Sequence, residues 1–93
     1  VVTLIPFDNE EDAIQIANES DYGLSATIWT EDKERATRVS NQVEAGVIWV
    51  NCWLVRDLRT PFGGMKQSGM GREGGSEALR FFTEQKNVCT STV

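Results

Sequence analysis

The sequence predicts an α/β fold: a βαβαβ segment of parallel sheet, then a long loop, a short helix and a terminal strand. Two observations carry the prediction. Apolar, β-branched runs of strand length alternate with stretches whose apolar residues recur at helical spacing. Each of the first two helical stretches opens on a capping residue and closes on a glycine. Such alternation calls for parallel strands joined by right-handed crossovers.

Residues 1–7 (VVTLIPF) read as the first strand. Asp8 is the expected helix N-cap, with Glu11 as its capping-box partner. The helix then runs over residues 9–20, with Ala13, Ile14 and Ala17 on one stripe and Ile16 widening it. Gly23 suits a left-handed C-terminal turn. Residues 24–30 (LSATIWT) form the second strand, and Thr30 or Asp32 caps the next helix. Ala36, Val39 and Val43 make its buried face, Arg35 and Arg38 a solvated one, and Gly46 ends it. Residues 47–50 (VIWV) are the third strand. Residues 51–75 break the pattern and hold six of the eight glycines. Loops this long inside compact domains are usually functional. Residues 76–84 form a short amphipathic helix with Leu79 and Phe82 inward, and residues 87–93 a last strand.

Composition narrows the function. With 14 acidic residues against nine basic, the net charge is −5, which argues against a nucleic-acid surface. No apolar run reaches the roughly 18 residues of a membrane-spanning helix. The absence of histidine removes the Ser-His-Asp triad, the Cys-His pair and His-ligated zinc. Cys52 and Cys89 have no CxxC neighbour, so a metal cluster is not expected. Both read as structural free thiols in a cytoplasmic protein, although sequence alone leaves a disulfide open. At 93 residues the chain makes one domain at most and, standing alone, would bury only about 60–65% of its unfolded surface. Its first and third strands are apolar on both faces, while two crossover helices would cover one. The expectation is that other parts of a larger protein supply the missing cover. The opening Val1-Val2-Thr3, without a starting methionine, fits either processing or such a piece.

Several motifs invite a sharper reading. Gly69-Met70-Gly71-Arg72-Glu73-Gly74 has GxGxxG spacing, but a polar turn precedes it where a dinucleotide loop needs a strand. Trp29 and Trp49 read as core rather than an aromatic cage, and Trp53 belongs to the loop. Arg56-Asp57-Leu58-Arg59 lies in the loop directly after the third strand, where ligand sites of parallel sheets gather. A guanidinium there can hold a substrate carboxylate by two parallel hydrogen bonds. A surface pairing of Asp57 with an arginine accounts for the position equally well.

Val50-Asn51, followed by the block from Pro61-Phe62-Gly63-Gly64-Met65-Lys66 to Gly71-Arg72-Glu73, resembles a specific signature. It is the VN…PFGGxKxSGxGRE pattern that closes the catalytic domain of the NAD(P)-dependent aldehyde dehydrogenase superfamily. Phe82-Thr83-Glu84-Gln85-Lys86 resembles that family's closing FTExK. The run from Asn51-Cys52-Trp53-Leu54-Val55-Arg56 through Asp57-Leu58-Arg59-Thr60-Pro61-Phe62 is similar to the 2-hydroxymuconic and 2-aminomuconic semialdehyde dehydrogenases. The resemblance covers the whole chain and only the closing part of a full-length member.

The resemblance implies that residues 1–86 end a catalytic domain, with a substrate-tunnel loop at 51–75, and that residues 87–93 are an oligomerisation strand. It makes Arg56 a cation for an acidic semialdehyde, with Arg59 the weaker candidate. Phe62 would line the tunnel near the aldehyde, and Asn51 would sit at its inner end. Arg72 and Glu84 would tie the terminal strand to a subunit interface by ion pairing, in a homodimer or homotetramer. The family's nucleophilic cysteine, general-base glutamate, oxyanion asparagine and NAD-binding domain would all precede Val1. No catalytic residue is therefore expected here, and the isolated chain is expected to be inactive. Two other readings stand beside this one: a different aldehyde dehydrogenase branch, and a free-standing interaction module without activity.

Overall fold

The computed structural model describes residues 1–92. Among the described residues there are three helices and four short strands, the strands paired in two small sheets. Helix α1 (Glu10–Asn18) precedes strand β1 (Tyr22–Gly23) and strand β2 (Ser25–Ile28). Helix α2 (Lys33–Gln42) leads into strand β3 (Val47–Val50). Strand β4 (Met65–Lys66) and helix α3 (Gly75–Phe82) follow. The β2-α2-β3 unit is the expected crossover, with β2 and β3 parallel and Ser25 opposite Val47. The second sheet was not expected: β4 returns antiparallel to β1, with Gly23 opposite Met65.

Helix starts obey capping chemistry, with one shift. Asn9, not Asp8, caps α1, because Asn9 takes the extended conformation (φ −155°) and its side chain accepts from the Asp12 backbone N–H. The Asp12 carboxylate accepts in return from the Asp8 N–H, so Asp12 fills the place expected of Glu11. Of the two candidates for α2, Asp32 is the cap: it accepts from the N–H groups of Glu34 and Arg35. Thr30 Oγ1 supports it by accepting from the Asp32 N–H.

Both glycines expected as helix stops serve close approach instead. Neither Gly23 nor Gly46 has a positive φ. A Cβ on Gly23 would lie 2.2 Å from the Glu44 carbonyl oxygen, and one on Gly46 would lie 1.6 Å from that of Gly63. The Gly46 N–H donates to the Gly23 carbonyl, fastening the entry of β3 beside β1.

Other expectations need correction. Residues 1–7 are exposed and form no strand, because no neighbour among the described residues offers a ladder. Arg35 and Arg38 are not merely solvated: both bond the Glu10 carboxylate, at 3.2 and 3.0 Å, and so tie α2 to α1. Trp29 lies beyond the end of β2 and is 69% exposed, whereas Trp49 lies within β3 and is half-buried. Ala17 is exposed, and Leu79 and Phe82 of α3 face outward rather than inward. It is Phe81 that approaches Gly71. Residues 87–92 form no strand, and Val93 of the expected terminal strand lies outside the described residues. Among the described residues only Ala45 is a buried hydrophobic side chain, accompanied by buried Gly23 and Gly64.

Candidate functional site

The loop expected to carry function begins where β3 ends. Asn51 takes a left-handed conformation (φ +53°), and its side-chain amide closes the sheet. Oδ1 accepts from the Thr30 N–H at 2.9 Å and Nδ2 donates to the Thr30 carbonyl at 2.8 Å. The side chain thereby continues the β2–β3 pairing one step past the last strand residue. Trp49 Nε1 donates to the Val55 carbonyl at 2.8 Å, which holds the loop back against the strand that launched it.

Asp57 organises the next turn. Its carboxylate accepts Arg59 Nε at 2.9 Å and Nη2 at 2.6 Å, and its backbone carbonyl accepts from Thr60. The Arg59 side-chain hydrogen bonds hold the Asp57 carboxyl below the usual aspartate range. The surface pairing that the sequence left open is thus an Asp57–Arg59 pair, with Arg59 88% exposed.

Arg56 is placed differently. Its Nη2 lies 2.8 Å from Glu73 Oε1, and its guanidinium carbon lies 4.4 Å from the centroid of the Phe62 ring. That geometry is a cation–π contact. Phe62 and Glu73 face each other as an isolated antiparallel bridge, each N–H donating to the other's carbonyl at 2.7 Å. Arg56, Phe62 and Glu73 therefore meet at one place, while Asn51 and Arg59 have other partners. Glu73 was not singled out from the sequence. Its charge and its place at the end of the glycine-rich signature were the available signals, but 17 positions, with strand β4 among them, separate it from Arg56.

The hairpin behind this trio is pinned at several points. Arg72 Nη1 donates to the carbonyls of Gly64 and Gly71 at 2.7 and 2.9 Å. Lys66 Nζ donates to the carbonyls of Asn18 and Ser20 at the end of α1 and pairs with Glu44 at 2.6 Å. Ser68 Oγ accepts from the Gly23 N–H. A shallow cleft of about 330 Å³ lies against Phe62, Glu73, Arg72 and Phe81. A larger cleft of about 590 Å³ runs between α1, α2 and β2, lined mostly by apolar side chains such as Ile14, Ile28 and Val39.

The glycine run that shares the GxGxxG spacing is filled by its own chain: a Cβ on Gly74 would lie 2.2 Å from the Thr60 carbonyl oxygen, and the Gly75 N–H donates to Leu58. A pyrophosphate would need those N–H groups and that space. Among the described residues no cluster of three His, Cys, Asp or Glu could hold a metal, and both cysteines are free. No described helix is long and apolar enough to cross a membrane.

The model of the aldehyde dehydrogenase family matches residues 1–88. The chain belongs to this family. It is 63% identical over 84 residues to the 2-hydroxymuconic semialdehyde dehydrogenase of Pseudomonas sp. (strain CF600), covering 90% of this chain and 17% of that protein. It is 57% identical over 88 residues to the 2-aminomuconic semialdehyde dehydrogenase of Danio rerio, covering 95% and 18%. The NAD+ complex of an aldehyde dehydrogenase from Bacillus cereus superposes with a TM-score of 0.87 at 46% identity, covering 90% of this chain and 17% of that one. The aldehyde dehydrogenase chain thus spans about a sixth of the length of these relatives.

Proposed function

We propose that this aldehyde dehydrogenase chain supplies the substrate-tunnel wall and part of the subunit interface of an enzyme that oxidises a carboxylated aldehyde. A 2-hydroxymuconic or 2-aminomuconic semialdehyde is the substrate class, and the product is the acid. The observation that carries the reading is the state of Arg56. Its guanidinium rests on the Phe62 ring and gives one bond to Glu73, and its side chain is 46% exposed. Its other N–H groups have no partner among the described residues. A carboxylate needs two parallel N–H groups and a fixed plane, and Arg56 offers both.

In such an enzyme the nicotinamide cofactor, NAD(P), takes the hydride, and its binding domain would be contributed from outside this chain. The work of these residues is binding and orientation. Arg56 fixes the far end of the substrate, Phe62 shields one side of the tunnel, and Asn51 keeps the tunnel's base attached to the sheet. Arg72 and Glu84 go with the same reading as interface residues of a homodimer or homotetramer in the cytoplasm. The isolated chain is then inactive, because on this reading neither free thiol, Cys52 nor Cys89, is the nucleophile of the reaction.

The test uses a full-length enzyme in which the matching segment of the CF600 relative is replaced by this chain. Arg56→Ala should lower the ratio of kcat/KM for a carboxylated over a neutral aldehyde by more than about tenfold, mostly through KM. An equal loss on both substrates rejects the assignment.

A further inference from the structure

We propose that Glu73 is a positioning residue that sets how strongly the site selects carboxylated aldehydes, by holding Arg56 in plane against Phe62; this rests on the reading of Arg56 as the carboxylate clamp. The geometry is a cradle with two walls. Phe62 and Glu73 are directly opposed bridge partners, with both backbone bonds at 2.7 Å. Opposed residues of an antiparallel pair place their side chains on the same side. One wall is therefore a π face and the other a carboxylate, and Arg56 touches both, at 4.4 Å to the ring centroid and 2.8 Å to Oε1.

Neither contact alone fixes a guanidinium. The ring sets its plane but leaves it free to turn within that plane. The carboxylate stops the turning, because a charged hydrogen bond prefers one direction. Glu73 is itself fixed by its place in the bridge, whereas Arg56 comes from an irregular stretch whose nearest anchor on its N-terminal side is the Trp49–Val55 bond. Orientation thus passes from the bridge to the arginine. The pair is about half exposed on each side, so it contributes little to folding. Its consequence is directional: the free N–H groups of Arg56 present one face to an incoming carboxylate.

The hybrid enzyme described above tests this. Glu73→Ala should lower the carboxylated-to-neutral kcat/KM ratio by about tenfold, carried by KM rather than kcat. Glu73→Gln keeps an acceptor at the same place and should restore the ratio to within about threefold of the parent. In an Arg56→Ala background, Glu73→Ala should change the ratio no further, since the residue acts through that arginine. If Glu73→Ala does not fold, Glu73→Leu carries the same expectation with the bulk beside the bridge retained. An unchanged ratio in Glu73→Ala or Glu73→Leu while Arg56→Ala lowers it overturns this inference alone. So does a Glu73→Gln loss as deep as that of Glu73→Ala, or a further loss in the double variant. An Arg56→Ala enzyme with its ratio intact overturns the underlying reading instead.

Discussion

Glu10 carries more of the helix pairing than any local pattern announces. One carboxylate accepts Arg38 through Nε and Nη2, both at 3.0 Å, and Arg35 through Nε at 3.2 Å. The Arg38 hydrogen bond leads the effects that hold its carboxyl below the ordinary value of 4.5. A lowered carboxyl stabilises the folded form fully above its ordinary value and loses that contribution as pH falls through the lowered one. Acidification below about pH 4.5 should therefore loosen α1 from α2. Amide protection factors along α1, corrected for the intrinsic pH dependence of exchange, should fall in that range in the wild-type hybrid but change less in Glu10→Gln. The sequence placed Arg35 and Arg38 on the correct outward face and stopped there, because their partner lies 25 and 28 positions away on another helix. The Asp8–Asn9 ambiguity has a similar origin. Two adjacent residues can both cap, and the extended φ of Asn9 decides between them. Arg56 was legible as a cation at the end of a strand; Glu73 was not, since nothing in a local window brings the two together.

At the scale of elements, both connected helices and the strands of the β2-α2-β3 unit were legible, because periodicity and caps are local signals. The β1–β4 pair was not. It is two residues long on each side, and contacts made elsewhere hold it: Lys66 on the carbonyls ending α1, and Ser68 on Gly23. Gly23 and Gly46 were legible as special positions, yet for the wrong reason. A glycine after a helix reads as a stop, while the demand here comes from other backbone segments pressing against it. Gly46→Ala tests the distinction. Its Cβ would fall 1.6 Å from the Gly63 carbonyl oxygen, and backbone cannot yield as a flexible side chain can. The substitution should destabilise the hybrid by about 1–3 kcal/mol, read as a lowered Tm. A mere helix-stop role at a non-positive φ would leave Tm almost unchanged. Helix α3 was found within two residues of its limits, but its inward face was misjudged, since the periodicity gives a stripe without saying what covers it.

The whole molecule is long and thinly covered. Its extents are 72 × 27 × 23 Å and its radius of gyration is 18.3 Å, against about 12 Å for a compact domain of this length. Exposed apolar side chains include Leu4, Trp29, Leu79 and Phe82. The sequence argument that the sheet lacks cover agrees with this surface. We expect the isolated chain to bind a hydrophobic dye, to self-associate on a sizing column and to melt without a sharp transition. A monomer with cooperative unfolding would contradict that. One arrangement at the end of β3 has a wider consequence. The Asn51 side chain seals the sheet, the Trp49–Val55 bond follows it, and the isolated Phe62–Glu73 bridge fastens the chain beyond. Residues 52–61 are thus bracketed by their own anchors, like a cartridge seated between two latches. Swapping that cartridge for one from a relative should retune which aldehyde is accepted while the scaffold on either side keeps its shape.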